Sequence, residues 1–153
     1  MKASLAGLVF LLAGAPAWAA DPLVGLWRLV SQEVSGQKID ADQLTLRILE
    51  SGGSLDFAYS LPVNGIQFVS MRFSTKLDGS EGDVRNANGA KLGTVKVSRS
   101  GGAEYKVVLQ GENRPTANGT MKISADGKTL TCESDSKSPQ QENRHTVQVF
   151  SRQ

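Results

Sequence analysis

Thiols, imidazoles and long apolar runs are what this sequence has least of. One cysteine, Cys132, and one histidine, His145, stand among 153 residues. A metal centre needs several such ligands, or clustered carboxylates, aimed at one point, so no metal site is expected. Asp78, Glu81 and Asp83 crowd a glycine-bearing turn, but they lack calcium-loop spacing and read as a solvated turn. A single thiol cannot close an internal disulfide, which leaves stability in an oxidising compartment to packing; Cys132 reads as a small buried apolar residue. There is no Gly-x-Ser-x-Gly elbow, phosphate loop or dinucleotide fingerprint, so no catalytic residue and no cofactor is assigned. Aromatic residues make up 6% of the chain and Gln153 ends it. Both facts speak against an outer-membrane barrel, which needs aromatic girdles and usually closes on an aromatic residue.

Residues 1–20 carry one early cation, Lys2, an apolar run from Leu5 to Leu12, and the ending Ala17-Trp18-Ala19-Ala20. That order describes a secretory signal peptide cut near Ala19 or Ala20. The apolar run is too short for a membrane span, which takes roughly 20 residues. The expected compartment is therefore the periplasm or the exterior, with residues 21–153 forming one domain. Setting Lys2 aside leaves 16 basic residues against 15 acidic ones. That balance gives no electrostatic reason to expect a nucleic acid or an anionic membrane as partner.

What the chain does have is turns. Gly52-Gly53, Asn64-Gly65, Asp78-Gly79, Asn88-Gly89, Gly101-Gly102, Asn118-Gly119 and Asp126-Gly127 supply pairs that tolerate positive φ. Most are spaced by about one strand and one turn. Between them apolar and polar residues alternate: Leu55, Phe57, Tyr59 and Leu61 share one face, while Asp56, Ala58 and Ser60 share the other. Ten strand-like runs result: 24–34, 43–50, 54–61, 65–76, 82–86, 92–100, 103–112, 116–124, 128–135 and 143–152. A shift of apolar parity between Phe68 and Met71 predicts a bulge or bend near Val69. The one helical candidate is a single turn at Asp40-Ala41-Asp42-Gln43, with Asp40 as its cap.

Without helices to cover a sheet, the strands must bury their apolar faces against one another. A meander with short turns favours an all-β, antiparallel up-and-down barrel of about ten strands (eight to ten), which also removes exposed edges. In such a barrel the first and last strands meet, which brings Trp27 near Val149, Phe150 and Arg152. There Arg152 or Arg28 can stack on the indole and seal one end.

Leu23-Val24-Gly25-Leu26-Trp27-Arg28 resembles the Gly-x-Trp opening of the lipocalins and the intracellular fatty-acid-binding proteins, the calycin type of barrel. Asp126-Gly127-Lys128-Thr129-Leu130-Thr131, with the ending Val147-Gln148-Val149-Phe150-Ser151-Arg152-Gln153, is similar to secreted bacterial lipocalin-like domains. The resemblance implies a lipocalin-like barrel that binds a small molecule inside. Two departures stand out. The segment Ser35 to Asp42 is too short for the helical lid of the fatty-acid-binding proteins, and Gln148 and Phe150 occupy the positions of the Arg-x-Tyr that grips a fatty-acid carboxylate. A buried carboxylate would lack its partner, so a neutral or weakly polar ligand is expected, unless Arg72 or Arg47 supplies the charge from another strand.

The leading expectation is a carrier or binding protein for a small hydrophobic or amphipathic molecule. Its candidate ligand-binding residues are Trp27 and Leu29 at the closed end, Phe57, Tyr59, Phe68 and Tyr105 on the walls, and Gln148 and Phe150 on the last strand. Three alternatives stay open. One is a packed barrel that docks a protein of the cell envelope, marked by an exposed apolar patch. Another is a haem site built on His145. The last is a cyclase or isomerase, marked by a carboxylate or tyrosine of perturbed pKa in the cavity.

Overall fold

The structure is a computed structural model that describes residues 20–40, 43–112, 116–138 and 141–153. It is all β among those residues, in eleven strands: β1 (Gly25–Val34), β2 (Gln37–Ile39), β3 (Thr45–Ser51), β4 (Ser54–Val63), β5 (Ile66–Thr75), β6 (Asp78–Asn86), β7 (Lys91–Arg99), β8 (Glu104–Gly111), β9 (Thr116–Ile123), β10 (Thr129–Ser138) and β11 (Gln141–Arg152). Each pairs antiparallel with its neighbours, and β11 returns to pair with β1, so the sheet closes. Ten strands make the wall, and the fold is the lipocalin-type barrel. The short β2 covers only the upper part of β1, where Gln32–Val34 pair with Gln37–Ile39, whereas the lower part, Gly25–Arg28, pairs with β3.

Local chemistry explains the hairpins. Gly52 and Gly53, Asn64 and Gly65, and Ser35 and Gly36 all adopt positive φ at both positions, the tight-turn geometry whose twist suits flanking strands. The Ser35-Gly36 turn, weaker as a sequence signal, is what adds β2. Two expected turns prove otherwise. Asn118-Gly119 lies inside β9, and the glycine there serves close strand packing, since a Cβ on it would lie 2.3 Å from the Glu133 carbonyl oxygen of β10. Asp78-Gly79 opens β6 within an irregular stretch of the β6–β7 ladder, and the chain reverses at Lys76 and Leu77 instead. The predicted bulge is present one residue along: Tyr59 pairs with Met71 and Ser60 with Val69, which leaves Ser70 over. The helical turn expected at 40–43 falls partly outside the described residues, as does nearly all of the expected signal peptide.

The core is not spread evenly along the barrel axis. Trp27, Leu46, Ile48, Phe57, Val95, Val97, Tyr105, Leu130 and Phe150 are fully or almost fully buried, and they cluster toward the end where β1 starts and β11 finishes. At the other end, where β1 turns into β2, the described residues form no comparable packed layer. The β3–β4 ladder stops at Thr45 opposite Ser60, so the hairpin of β4 and β5 runs on past its neighbour. Val63, Ile66 and Phe68 near its tip are therefore half exposed or more.

Candidate functional site

One end of the barrel is sealed by charge and ring together. Residues 21–24 pass beneath the barrel, and the Trp27 indole Nε1 donates to the Leu23 carbonyl at 2.9 Å. The Arg152 guanidinium stacks over the indole with its carbon 4.1 Å from the ring centroid. It also donates to the carbonyls of Gly127, Val24 and Pro22 at 2.7, 2.7 and 2.6 Å. Trp27 pairs in register with Arg152, as closure predicted; Arg28 faces outward. Gly25 must be a glycine here, since a Cβ on it would lie 2.6 Å from Arg152 Nη1 and its φ is +152°. Beside this plug Asp21 accepts from the Tyr105 hydroxyl at 2.8 Å and pairs with Arg99. Burial and the Asp21 carboxylate together push the Tyr105 phenol upward, so it stays a neutral donor.

Above the plug the lumen opens. Two adjoining spaces, of about 100 and about 270 Å³, share Met71, Leu109 and Ala117 in their walls. The deeper one is also lined by Tyr59, Cys132 and Gln148, and the one nearer the mouth by Leu92, Gly93 and Gly111. It is roomy because inward positions on β9 and β10 are small: Ala117 and Gly119, then Cys132 and Ser134. Desolvation raises the Tyr59 phenol far above its usual range and the Cys132 thiol to about 12, so both are uncharged. Gln148 reaches Gln32 across the β1–β11 seam at 3.2 Å. Tyr59 finds no hydrogen-bond partner among the described residues, which leaves its hydroxyl available inside the cavity. Glu133 borders the deeper space, but its carboxylate turns outward to His145 Nε2 at 3.4 Å.

The eight candidate residues divide. Tyr59 and Gln148 line the cavity. Trp27, Leu29, Phe57, Tyr105 and Phe150 are packed in the core, where their bulk fills the narrow end. Phe68 lies opposite Leu61 on the lumenal face but above the rim, with half its surface exposed. Arg47 and Arg72 are exposed on the outer wall, opposite Ala58, so neither puts a charge into the lumen. His145 also faces outward, held by Asp135 at 2.8 Å, so the imidazole of the haem alternative is not presented to the cavity. The residues missed in sequence, Met71, Leu109, Ala117 and Cys132, carry a signal only as small or flexible side chains at inward positions.

No protein-family profile matches the chain, and no curated protein matches it in sequence. Solved structures do match in fold. Zebrafish ileal bile acid-binding protein, complexed with cholic acid, superposes with a TM-score of 0.57 at 19% identity, covering 86% of this chain and 99% of its own. Bovine odorant binding protein with undecanal gives a TM-score of 0.43 at 15% identity, over 88% and 73% of the two chains.

Proposed function

We propose that this barrel binds a small uncharged molecule, apolar or weakly polar, in the upper half of its lumen. The observation that carries the reading is the composition of that space: a largely apolar wall with Met71, Val107, Leu109 and Ala117, and the Tyr59 hydroxyl, the Gln148 amide and the Ser134 hydroxyl among the polar groups that line it. A few convergent polar groups in an apolar concavity are the usual make-up of a ligand site. At about 100 and about 270 Å³, each space is below the roughly 300 Å³ at which ligand pockets usually begin, which selects a compact ligand. The exposed Val63, Ile66 and Phe68 beside the mouth give it an apolar approach. The zebrafish protein that shares this architecture is complexed with cholic acid, and that neighbour supports the reading at the level of fold. Tyr59 meets the expected mark of an enzyme in its raised pKa, yet no carboxylate base shares the cavity among the described residues, and binding is the simpler use of the site.

A second reading draws on the same half-exposed hairpin, docking of a protein partner from the cell envelope at the mouth. We further propose export, with cleavage before Asp21. The residue pattern of 1–20 supports it, and so does the engagement of Asp21 by Tyr105 and Arg99 of the barrel. A neutral fluorescent naphthylamine probe tests the main reading: it should bind wild type with saturable enhancement and fail to bind an Ala117→Leu variant. Equal binding by both would defeat lumenal binding. Phe68→Ser slowing probe entry fits the mouth as a ligand path, whereas loss of a co-purifying partner with unchanged probe kinetics selects the second reading. The mass of protein recovered from the envelope fraction checks the cleavage site.

A further inference from the structure

A roomy concavity lies outside the barrel. A groove of about 730 Å³ crosses the outer wall over β3, β4, β5 and β6. Register puts one row of residues along it: Arg47 opposite Ala58, Ala58 opposite Arg72, and Arg72 opposite Arg85. Alternation turns all four outward. Like charges placed directly across a strand pair oppose its formation, and Arg72 opposite Arg85 is one of the two residue pairs that β5 and β6 share. The row continues to Lys91, opposite Arg85.

Nearby carboxylates do not settle this charge. Asp83 is occupied by Arg85 at 2.6 Å and by Lys91 at 2.8 Å, and Lys91 with Arg85 holds its carboxyl below the ordinary range. Asp56, diagonal to both arginines on the next outward row, accepts from the Ser74 hydroxyl and keeps its charge, but it makes no ion pair with either arginine among the described residues. Arg47 and Arg72 form no ion pair and no hydrogen bond among the described residues. Their strands are two spacings apart, roughly 10 Å, and only the methyl group of Ala58 stands between them, so both guanidiniums can swing over Ala58 to one point. The next outward row supplies a different chemistry. It holds Leu49, Asp56 and Ser74, and Leu49, 48% exposed, is the apolar side chain at the edge of the groove.

We propose that this groove is a second ligand site, independent of the lumen, for an oxyanion carried on a short apolar body. Arg47 and Arg72 take the phosphate, sulfate or carboxylate head in paired, charge-assisted hydrogen bonds, the geometry for which a guanidinium fork is suited. Leu49 receives the apolar part. An anion at that point also relieves the repulsion along the arginine row, so its binding tightens the β5–β6 seam.

Amide chemical shifts of the full mature chain test this, using octyl phosphate, inorganic phosphate and 1-octanol as probes. Octyl phosphate should perturb Arg47, Ala58, Arg72 and Ser74 and bind at least tenfold tighter than inorganic phosphate, while 1-octanol leaves those amides in place. Arg47→Gln with Arg72→Gln should weaken octyl phosphate at least tenfold. Ala58→Asp, which sets a carboxylate between the arginines, should abolish binding and raise the melting temperature, and it decides the matter if the double variant is unstable. Sedimentation with phosphatidylglycerol against phosphatidylcholine vesicles separates sources: selective, arginine-dependent sedimentation assigns a lipid headgroup, and its absence beside octyl phosphate binding assigns a free amphiphile. Perturbation confined to Tyr59, Ala117 and other lumenal residues, or undiminished affinity in both variants, overturns the proposal.

Discussion

The floor and the mouth half of this barrel are built from the same strands, yet they solve opposite problems. At the floor, inward positions hold Trp27, Tyr105, Phe57 and Phe150, all buried, and the Trp27 indole and the Tyr105 hydroxyl both have hydrogen-bond partners. Toward the mouth the same strands place Ala117, Gly119, Cys132 and Ser134 inward and leave space. The difference teaches that stability and binding are separated along the barrel axis: one end holds the wall together so that the other end need not be filled. Substitutions should therefore sort by height in the barrel, and the largest effect is expected at the floor. Trp27→Ala should cost about 3 to 5 kcal/mol by chemical denaturation; a loss under about 1 kcal/mol would mean that the floor is not the stabilising layer.

Arg152 sharpens the same contrast because its role is polar. Replacing it with Met keeps part of the stem but leaves the carbonyls of Val24 and Gly127 without their donor and the indole without its cation. We expect a loss of about 2 to 3 kcal/mol, measurable in urea, with probe binding at the mouth unchanged once the protein is folded. Gly25→Ala should behave similarly, since its methyl group would displace the guanidinium.

Adding volume separates the halves more directly. Val97→Phe overfills the floor and should cost about 1 to 3 kcal/mol. Ala117→Leu adds three carbons where there is room, so its stability change should stay within about 1 kcal/mol while probe binding is lost. Equal destabilisation by the two would erase the distinction between packed and open halves.

Much of this division was legible in sequence, and the part that was not has a physical cause. Alternation in Leu55 to Leu61 and the turn pairs fixed the strands, and closure put Trp27 opposite Arg152. The parity slip at Phe68 to Met71 located the bulge to within one residue. Asn118-Gly119 misled because a turn signal is local, whereas that glycine answers to the neighbouring strand. Candidate wall residues were chosen for size, but size fills a cavity; Tyr59 and Gln148 alone among them line it. Phe68 shows a further limit, since alternation tells which face a side chain takes and not how far above the rim it stands. Arg47 could have been placed: Leu46 and Ile48 point inward, which turns Arg47 out.

The smallest expected effect tests whether the two halves also differ in their response to pH. His145 and Asp135 form an exposed pair on the outer wall of β10 and β11 toward the mouth, and Asp135, foremost through its hydrogen bond, raises the imidazole above its ordinary value of about 6.5. A group whose folded pKa is raised binds its proton more tightly when folded. Its contribution is therefore complete below pH 6.5 and disappears as pH climbs through the higher folded value. Solvent screening keeps it slight, and it acts at one height. Hydrogen exchange should accordingly show the amides around Thr146 and Ser134 losing some protection between pH 6 and 8, after correction for intrinsic rates, while those of Trp27, Leu130 and Phe150 hold theirs. Asp135→Asn should flatten the response at the mouth. A uniform loss along both strands would mean that floor and mouth open together, against the independence on which the other predictions rest.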